Sequence, residues 1–294
     1  MCVQRTGCST LGGPGGEIPP GLLDSMGEGI MDLINTMYRL LKRKLIGFKF
    51  VAERRNARML RGYTEISLKD ALKTGRDLKD AWNDPAVPAH QECFRDKELA
   101  RYRKGFAVPV FDAITGIITR NIPISEDTKV LEVGCSSGYY SEVLSMKGIK
   151  CSYTGCDCSE AFIELARARY PALHWDVNNA TELGYNDSEF NVVISGCCLQ
   201  YMYEFERGVS EAARVSDSFV VFHRTPVVFN RGPIYYCRNA YGVKMLEIHF
   251  QEDLFVKLLK AHGLSVIDRV TIERFPFWNT DDTLEINTYL CKKY

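Results

Sequence analysis

The chain has 294 residues, 46% hydrophobic and 25% charged, an ordinary globular mix that excludes a collagen-like, fully disordered or disulfide-scaffold polypeptide. Its 37 Lys/Arg balance 37 Asp/Glu, and with a pI near 6.9 it has no overall attraction to nucleic acid. No apolar run reaches the roughly 18 residues that a membrane-spanning helix needs.

Residues 1–21 are rich in Gly and Pro and read as a disordered tail. They lack the apolar stretch of an export signal, so the 11 cysteines are read as reduced thiols of a cytoplasmic protein. From residue 22 the pattern turns helical, with Leu23, Met26, Ile30, Leu33, Ile34, Met37, Leu40 and Leu41 recurring at three- and four-residue steps. Between Arg39 and Arg61 nine Lys/Arg stand against one acid, Glu53. Such a run reads either as a weak membrane-surface contact or as a docked helix with a solvated basic face, and the second is favoured. Residues 62–125 look largely helical. Pro85 and Pro88 break the pattern, and Lys97 to Ile118 supply an apolar face. Together 22–125 read as a helical N-terminal cap.

The character changes at Lys129. Strands are expected at 129–133, 151–157, 172–175, 190–195 and 218–223, with helices over 139–147, 159–170 and 204–215 between them. After an insertion come a helix from Gln251 to His262 and two last strands, LSVIDRVTI and LEINTYLCK. Alternation of this kind implies parallel βαβ units, with ligands at the carboxyl ends of the strands.

The chemistry concentrates in VLEVGCSSGYYSEVL (130–144): a strand, a glycine turn, then a helix. Gly134 permits the sharp turn and Gly138 a close backbone approach, while the turn aims amide N–H groups at a ligand. Asp157 ends the next strand, where a carboxylate can accept both hydroxyls of a ribose. The pattern therefore predicts an adenosine-containing cofactor. The spacing Gly134-Cys-Ser-Ser-Gly138 lacks the six-residue G-x-G-x-x-G pattern of dinucleotide sites, which argues against a dehydrogenase.

On these residues the stretch 126–294 resembles a class I S-adenosylmethionine-dependent methyltransferase, whose first motif is matched by EVGCSSG with Ser136 in place of the middle Gly. The resemblance implies a Rossmann-like α/β fold: seven mostly parallel strands, the last antiparallel, preceded by the helical cap. It implies S-adenosyl-L-methionine as cofactor. Glu132, Gly134, Cys135, Ser136 and Gly138 would wrap its amino-acid end, Asp157 its ribose and Cys158 its adenine edge. Asn179, beside Ala180, stands where relatives carry an acid near the adenine amino group, with Asp176 and Asn178 as neighbours in contention. Gly196, in ISGCCLQYM, would border cofactor and substrate. The run FHRTPV with its insertion is similar to bacterial methyltransferases associated with polysaccharide or natural-product clusters, so the implied acceptor is a small molecule or a saccharide, methylated on O or N. A non-catalytic cofactor-binding protein is the alternative.

Among remaining candidates, His223 at the end of the fifth strand is read either as a general base or as a buried pocket-shaping residue. His90 and Gln91 are candidates to face the substrate from the cap. Tyr140 is read as packing inward. Cys135, Cys156, Cys158, Cys197 and Cys198 fall near strand ends, but with no C-x-x-C pair no metal is expected. No Asn-Pro-Pro-aromatic tetrad of base-modifying enzymes occurs, so nucleic acid is not an expected partner. The sequence specifies no oligomeric state.

Overall fold

The computed structural model describes residues 62–78, 80–276 and 282–294. The expected tail, the amphipathic helix of 22–50 and the basic run 39–61 lie outside the described residues.

Ten strands and seven α-helices are present among them: β1 (Tyr63–Ile66), α1 (Leu68–Asp77), α2 (Ala86–Arg103), α3 (Pro109–Asn121), β2 (Lys129–Val133), α4 (Tyr139–Met146), β3 (Ser152–Asp157), α5 (Glu160–Arg169), β4 (His174–Val177), β5 (Phe190–Gly196), α6 (Phe205–Val215), β6 (Ser216–Val228), β7 (Ile234–Ala240), β8 (Val243–Gln251), α7 (Glu252–Ala261), β9 (Leu264–Pro276) and β10 (Thr283–Lys293). The expected seven strands run in the order β4-β3-β2-β5-β6-β10-β9. Pairing is parallel from β4 to β6, and β10 is antiparallel to both β6 and β9. This is the Rossmann-like arrangement that the resemblance implies. Successive residues of the central strands face opposite layers, as the two-residue pleat requires. Val130, Val192, Ile194 and Val221 join the core under α3, α4 and α5, whereas Leu131, Val193, Val220 and Phe222 join that under α6 and α7.

Three expectations are corrected. The sheet has ten strands, not seven: β1, β7 and β8, antiparallel to one another, extend it, and β8 joins β6 in parallel through Val227↔Phe250 and Val228↔Gln251. The insertion after β6 is thus a β-hairpin. Its two-residue turn, Tyr241-Gly242, takes φ values of 52° and 87°, the left-handed pair that suits twisted strands. The prolines of AWNDPAVP start α2 and do not break a helix: Pro85 precedes it and Pro88 sits in its first turn, where no intrahelical donor is needed. The apolar face from Lys97 to Ile118 belongs to two helices, separated at Gly105 (φ 79°) and restarted by Pro109. Of these, α3 is a layer helix: Phe111, Ile114, Ile117 and Ile118 are fully buried against the sheet. Among the described residues of the expected cap, α1, the short 3-10 turn Ala81–Asn83 and α2 sit over the strand ends.

Trp175 of β4 lies flat behind the first strands, 3% exposed. A Cβ at Gly155 would fall 2.6 Å from Trp175 Cε3, with no left-handed φ involved. Gly155→Ala is therefore expected to destabilise the protein by about 1–3 kcal/mol through overpacking. Adding Trp175→Leu should return part of that loss. Thermal unfolding of the three variants checks it, and an unchanged Tm for the single variant would mean that Trp175 does not occupy this seat.

Candidate active site

The turn after β2 is held by the end of β3. Gly134 (φ 72°) and Cys135 both donate their backbone N–H to Cys156 O, at 2.8 and 2.9 Å. The Asp157 carboxylate then clasps two loops at once, accepting Ser136 N on Oδ2 (2.9 Å) and Ser159 N on Oδ1 (3.0 Å). Burial raises this carboxyl above its ordinary value, and the Ser159 and Ser136 backbone donors offset part of that rise. The cap docks on the same turn: the Ser136 hydroxyl donates to Gln91 Oε1, and that of Ser137 to Glu92 Oε1 at 2.6 Å. Glu92 and Asp96 in turn pair with Arg169 of α5.

Between cap, turn and strand ends lies a cavity of about 540 Å³, within the usual range of small-molecule sites. Of the residues expected from the sequence, Gly134, Ser136, Asp157, Cys158, Asn179, Ala180 and Gly196 line it, and so do Asn178 and Gln91. Asp176 does not; it is bound by the Tyr185 hydroxyl at 2.8 Å. The Asn179 carbonyl, expected to meet an adenine amino group, already accepts Thr181 N and Oγ1, both at 3.0 Å. That of Asn178 accepts only Gly184 N (3.2 Å) and keeps a lone pair.

Four expected residues stand behind the wall. Cys135 is fully buried. Gly138 serves packing: its φ is 76°, and a Cβ there would lie 2.7 Å from Trp175 Cζ3. Glu132 is buried and accepts the Tyr153 hydroxyl; burial pushes its carboxyl up to about 8. His223, expected at the crevice, is 1% exposed with both ring nitrogens engaged, Nε2 at 2.9 Å from the Tyr140 hydroxyl and Nδ1 at 2.7 Å from Thr288 Oγ1. Burial first, then the charges of Arg224 and Arg95, drives its pKa well below the ordinary value, so the ring is neutral. Tyr140 is buried, as read, and stands between His223 and the turn; Tyr139 takes the wall position. His90 is tied to Ala86 O at 2.8 Å.

The sequence reading missed Arg95, Arg224, Trp82 and Tyr241 on the crevice wall. Ser136, Cys197, Arg224 and Tyr241 are four of the five described non-glycine residues with positive φ, and all four line the crevice. Backbone strain of this kind clusters at functional sites. Cys158, Cys197 and Cys198 also line it, while Cys156 is buried below; among the described residues no His/Cys/Asp/Glu group is arranged to hold a metal.

Residues 130–218 match the family described as "Methyltransferase domain". Over that segment the chain is similar to methyltransferase domains. A probable S-adenosylmethionine-dependent methyltransferase of Mycolicibacterium smegmatis is 31% identical over 106 residues, 35% of this chain and 40% of that protein. A phthiotriol/phenolphthiotriol dimycocerosates methyltransferase of Mycobacterium tuberculosis is 33% identical over 89 residues, 30% of this chain and 33% of that one. The chain thus spans two fifths or less of the length of these relatives. Among solved structures, an S-adenosylmethionine-dependent methyltransferase from Clostridium acetobutylicum aligns with a TM-score of 0.48 at 14% identity, covering 68% of this chain and 99% of that one. Beside Asp157 the crevice is lined by the apolar side chains of Phe162, Val177 and Ala180.

The Glu132 carboxyl lies at 4.5 when unperturbed and at about 8 in the fold, so between those values the unfolded chain has released a proton that the folded chain keeps. Stability contributed by this group is full below 4.5 and is lost as pH rises to about 8. Glu132→Gln should flatten the fall in Tm over that window. Parallel Tm–pH curves for variant and parent would place the effect elsewhere.

Proposed function

We propose that the chain transfers a methyl group from S-adenosyl-L-methionine to a small-molecule acceptor enclosed under the α1–α2 cap. The observation that carries this reading is the Asp157 clasp, which holds the Gly134–Gly138 turn open onto the crevice. When bound, the cofactor supplies an electrophilic methyl on a sulfonium. Gly134 and Ser136 border its amino-acid end, Asp157 its ribose, and Cys158, Asn178 and Asn179 its base. Tyr139, Gly196 and Cys197 border the reacting end. The cap's Trp82 and the hairpin's Tyr241 exclude water and hold the acceptor in line, and such alignment can supply roughly 7–11 kcal/mol of a barrier.

In this reading His223 is a positioning residue: it fixes the Tyr140 hydroxyl behind the wall and takes no proton from the acceptor. Three thiols in the crevice, Cys158, Cys197 and Cys198, are free, which suits a reducing cytoplasmic setting. A saccharide ring would fit against the aromatic residues at the mouth as an aromatic ring would. The balanced charge gives no footprint for nucleic acid.

Isothermal calorimetry with S-adenosylmethionine, S-adenosylhomocysteine and NAD tests the reading: the first two should bind and NAD should not. Asp157→Asn should weaken S-adenosylhomocysteine by about 10–100-fold, the worth of one charge-assisted hydrogen bond. Normal binding by that variant would remove Asp157 from the ribose. For His223, turnover should show no inflection near its ordinary pKa of about 6.5. His223→Gln and Tyr140→Phe should alter turnover alike; an acid limb at about 6.5 that only His223→Gln abolishes would restore the base role.

A further inference from the structure

Two guanidinium groups reach the crevice from different elements, Arg95 from α2 and Arg224 from β6. They are not equivalent. Arg95 has a counter-ion, Glu98, and its Cζ lies 5.4 Å from the centre of the Tyr139 ring. The Arg224 guanidinium makes no ion pair and no side-chain hydrogen bond with any described residue. Burial opposes its charge, and the groups that favour it most are Cys197, Tyr140, Tyr139 and Tyr201, none of them a carboxylate. Its backbone is held at φ 61°, and its carbonyl accepts Gln200 Nε2 at 3.4 Å, so the fold sustains an uncommon conformation to keep this side chain where it is.

A desolvated cation needs a partner. Asp80, Asp157 and Glu204 also line the crevice, but none forms an ion pair with Arg224. S-adenosylmethionine adds a net positive charge, its sulfonium and ammonium against one carboxylate, so a negative charge brought by the acceptor would offset both. One uncompensated guanidinium calls for one negative charge, and its planar two-donor edge matches a carboxylate. Beside it the crevice offers flat faces: Trp82 stands 5.1 Å from Tyr201 and 6.0 Å from Tyr241 between ring centres, and all three line the cavity.

We propose that the acceptor is a small organic acid, its carboxylate held by Arg224 and its flat or ring-shaped body set against Trp82, Tyr201 and Tyr241. This rests on the methyl-transfer reading above and narrows its acceptor.

The test is thermal unfolding of the full chain saturated with S-adenosylhomocysteine, with benzoate, benzamide or inorganic phosphate added at about 20 mM. At that concentration a millimolar site gains about 2–4 °C. Benzoate should raise Tm and benzamide should not. Arg224→Gln should abolish the benzoate shift, keep the shift due to S-adenosylhomocysteine, and raise Tm in the absence of added anion, because it removes an uncompensated charge. Equal responses to benzoate and benzamide, or none to either, would overturn the proposal. So would a response to phosphate alone. Loss of the S-adenosylhomocysteine shift in Arg224→Gln would reassign Arg224 to the cofactor. Absence of that shift in the parent protein would instead sink the methyl-transfer reading, a separate and recognisable outcome.

Discussion

The site depends on one carboxylate placed between two strand ends. Asp157 accepts the amides of Ser136 and Ser159, which joins the turn after β2 to the loop after β3. Ser136 stands at φ 54°, a conformation that a non-glycine residue keeps only when its surroundings hold it. The clasp adds to the bonds that Gly134 and Cys135 make to Cys156 O, and it is what fixes Ser136. Trp175 supports it from behind, filling the space that side chains at Gly138 and Gly155 would need. The glycines here make room for a ring of the protein itself, and the ligand is served by the amides and the carboxylate in front.

Behind that wall the structure keeps its polar groups neutral. Glu132 with Tyr153, and His223 with Tyr140 and Thr288, are buried and paired by hydrogen bonds. Burial raises the acid and lowers the base, so both shed their charge. Net charge is kept for the surface of the crevice, where Asp157, Arg95 and Arg224 meet whatever binds. A wall of low polarizability behind charged groups strengthens their field at the ligand.

The legible part of the sequence was the local part. Buried parallel strands are short apolar runs, so β2, β3, β5 and β6 could be read directly, and the glycine turn with its acid placed the cofactor end. The strand β1 was illegible because four residues, YTEI, alternate no apolar face and acquire their structure only by pairing with β7. The hairpin reads in sequence as an insertion, although the aromatic run IYYCRNA and the Tyr-Gly step carry a turn signal. His223 and Arg224 show the limit most clearly. Neighbours on a strand face opposite ways. The residue with familiar proton chemistry was the one turned inward to Tyr140, and the next residue, read as nothing in particular, reached the crevice.

The division between legible and illegible follows the division of labour in the fold. The cofactor end is built by consecutive residues, 132–138 and 157–158, and needs one βαβ unit. The opposite wall of the crevice is assembled from α2, the 3-10 turn at Ala81–Asn83, β6 and the β7–β8 turn, segments up to about 160 positions apart from Trp82 to Tyr241. Each is ordinary alone: an arginine on a helix, an arginine in a strand, a tyrosine in a turn. Their meaning arises from convergence, and convergence is written in long-range pairing. Backbone strain marks the same boundary. Cys197, Arg224 and Tyr241 adopt left-handed conformations where three such segments meet over the crevice. On this wall two strained residues, Cys197 and Tyr241, stand with the strained and unpaired Arg224, whereas the wall at Asp157 is organised around backbone shape.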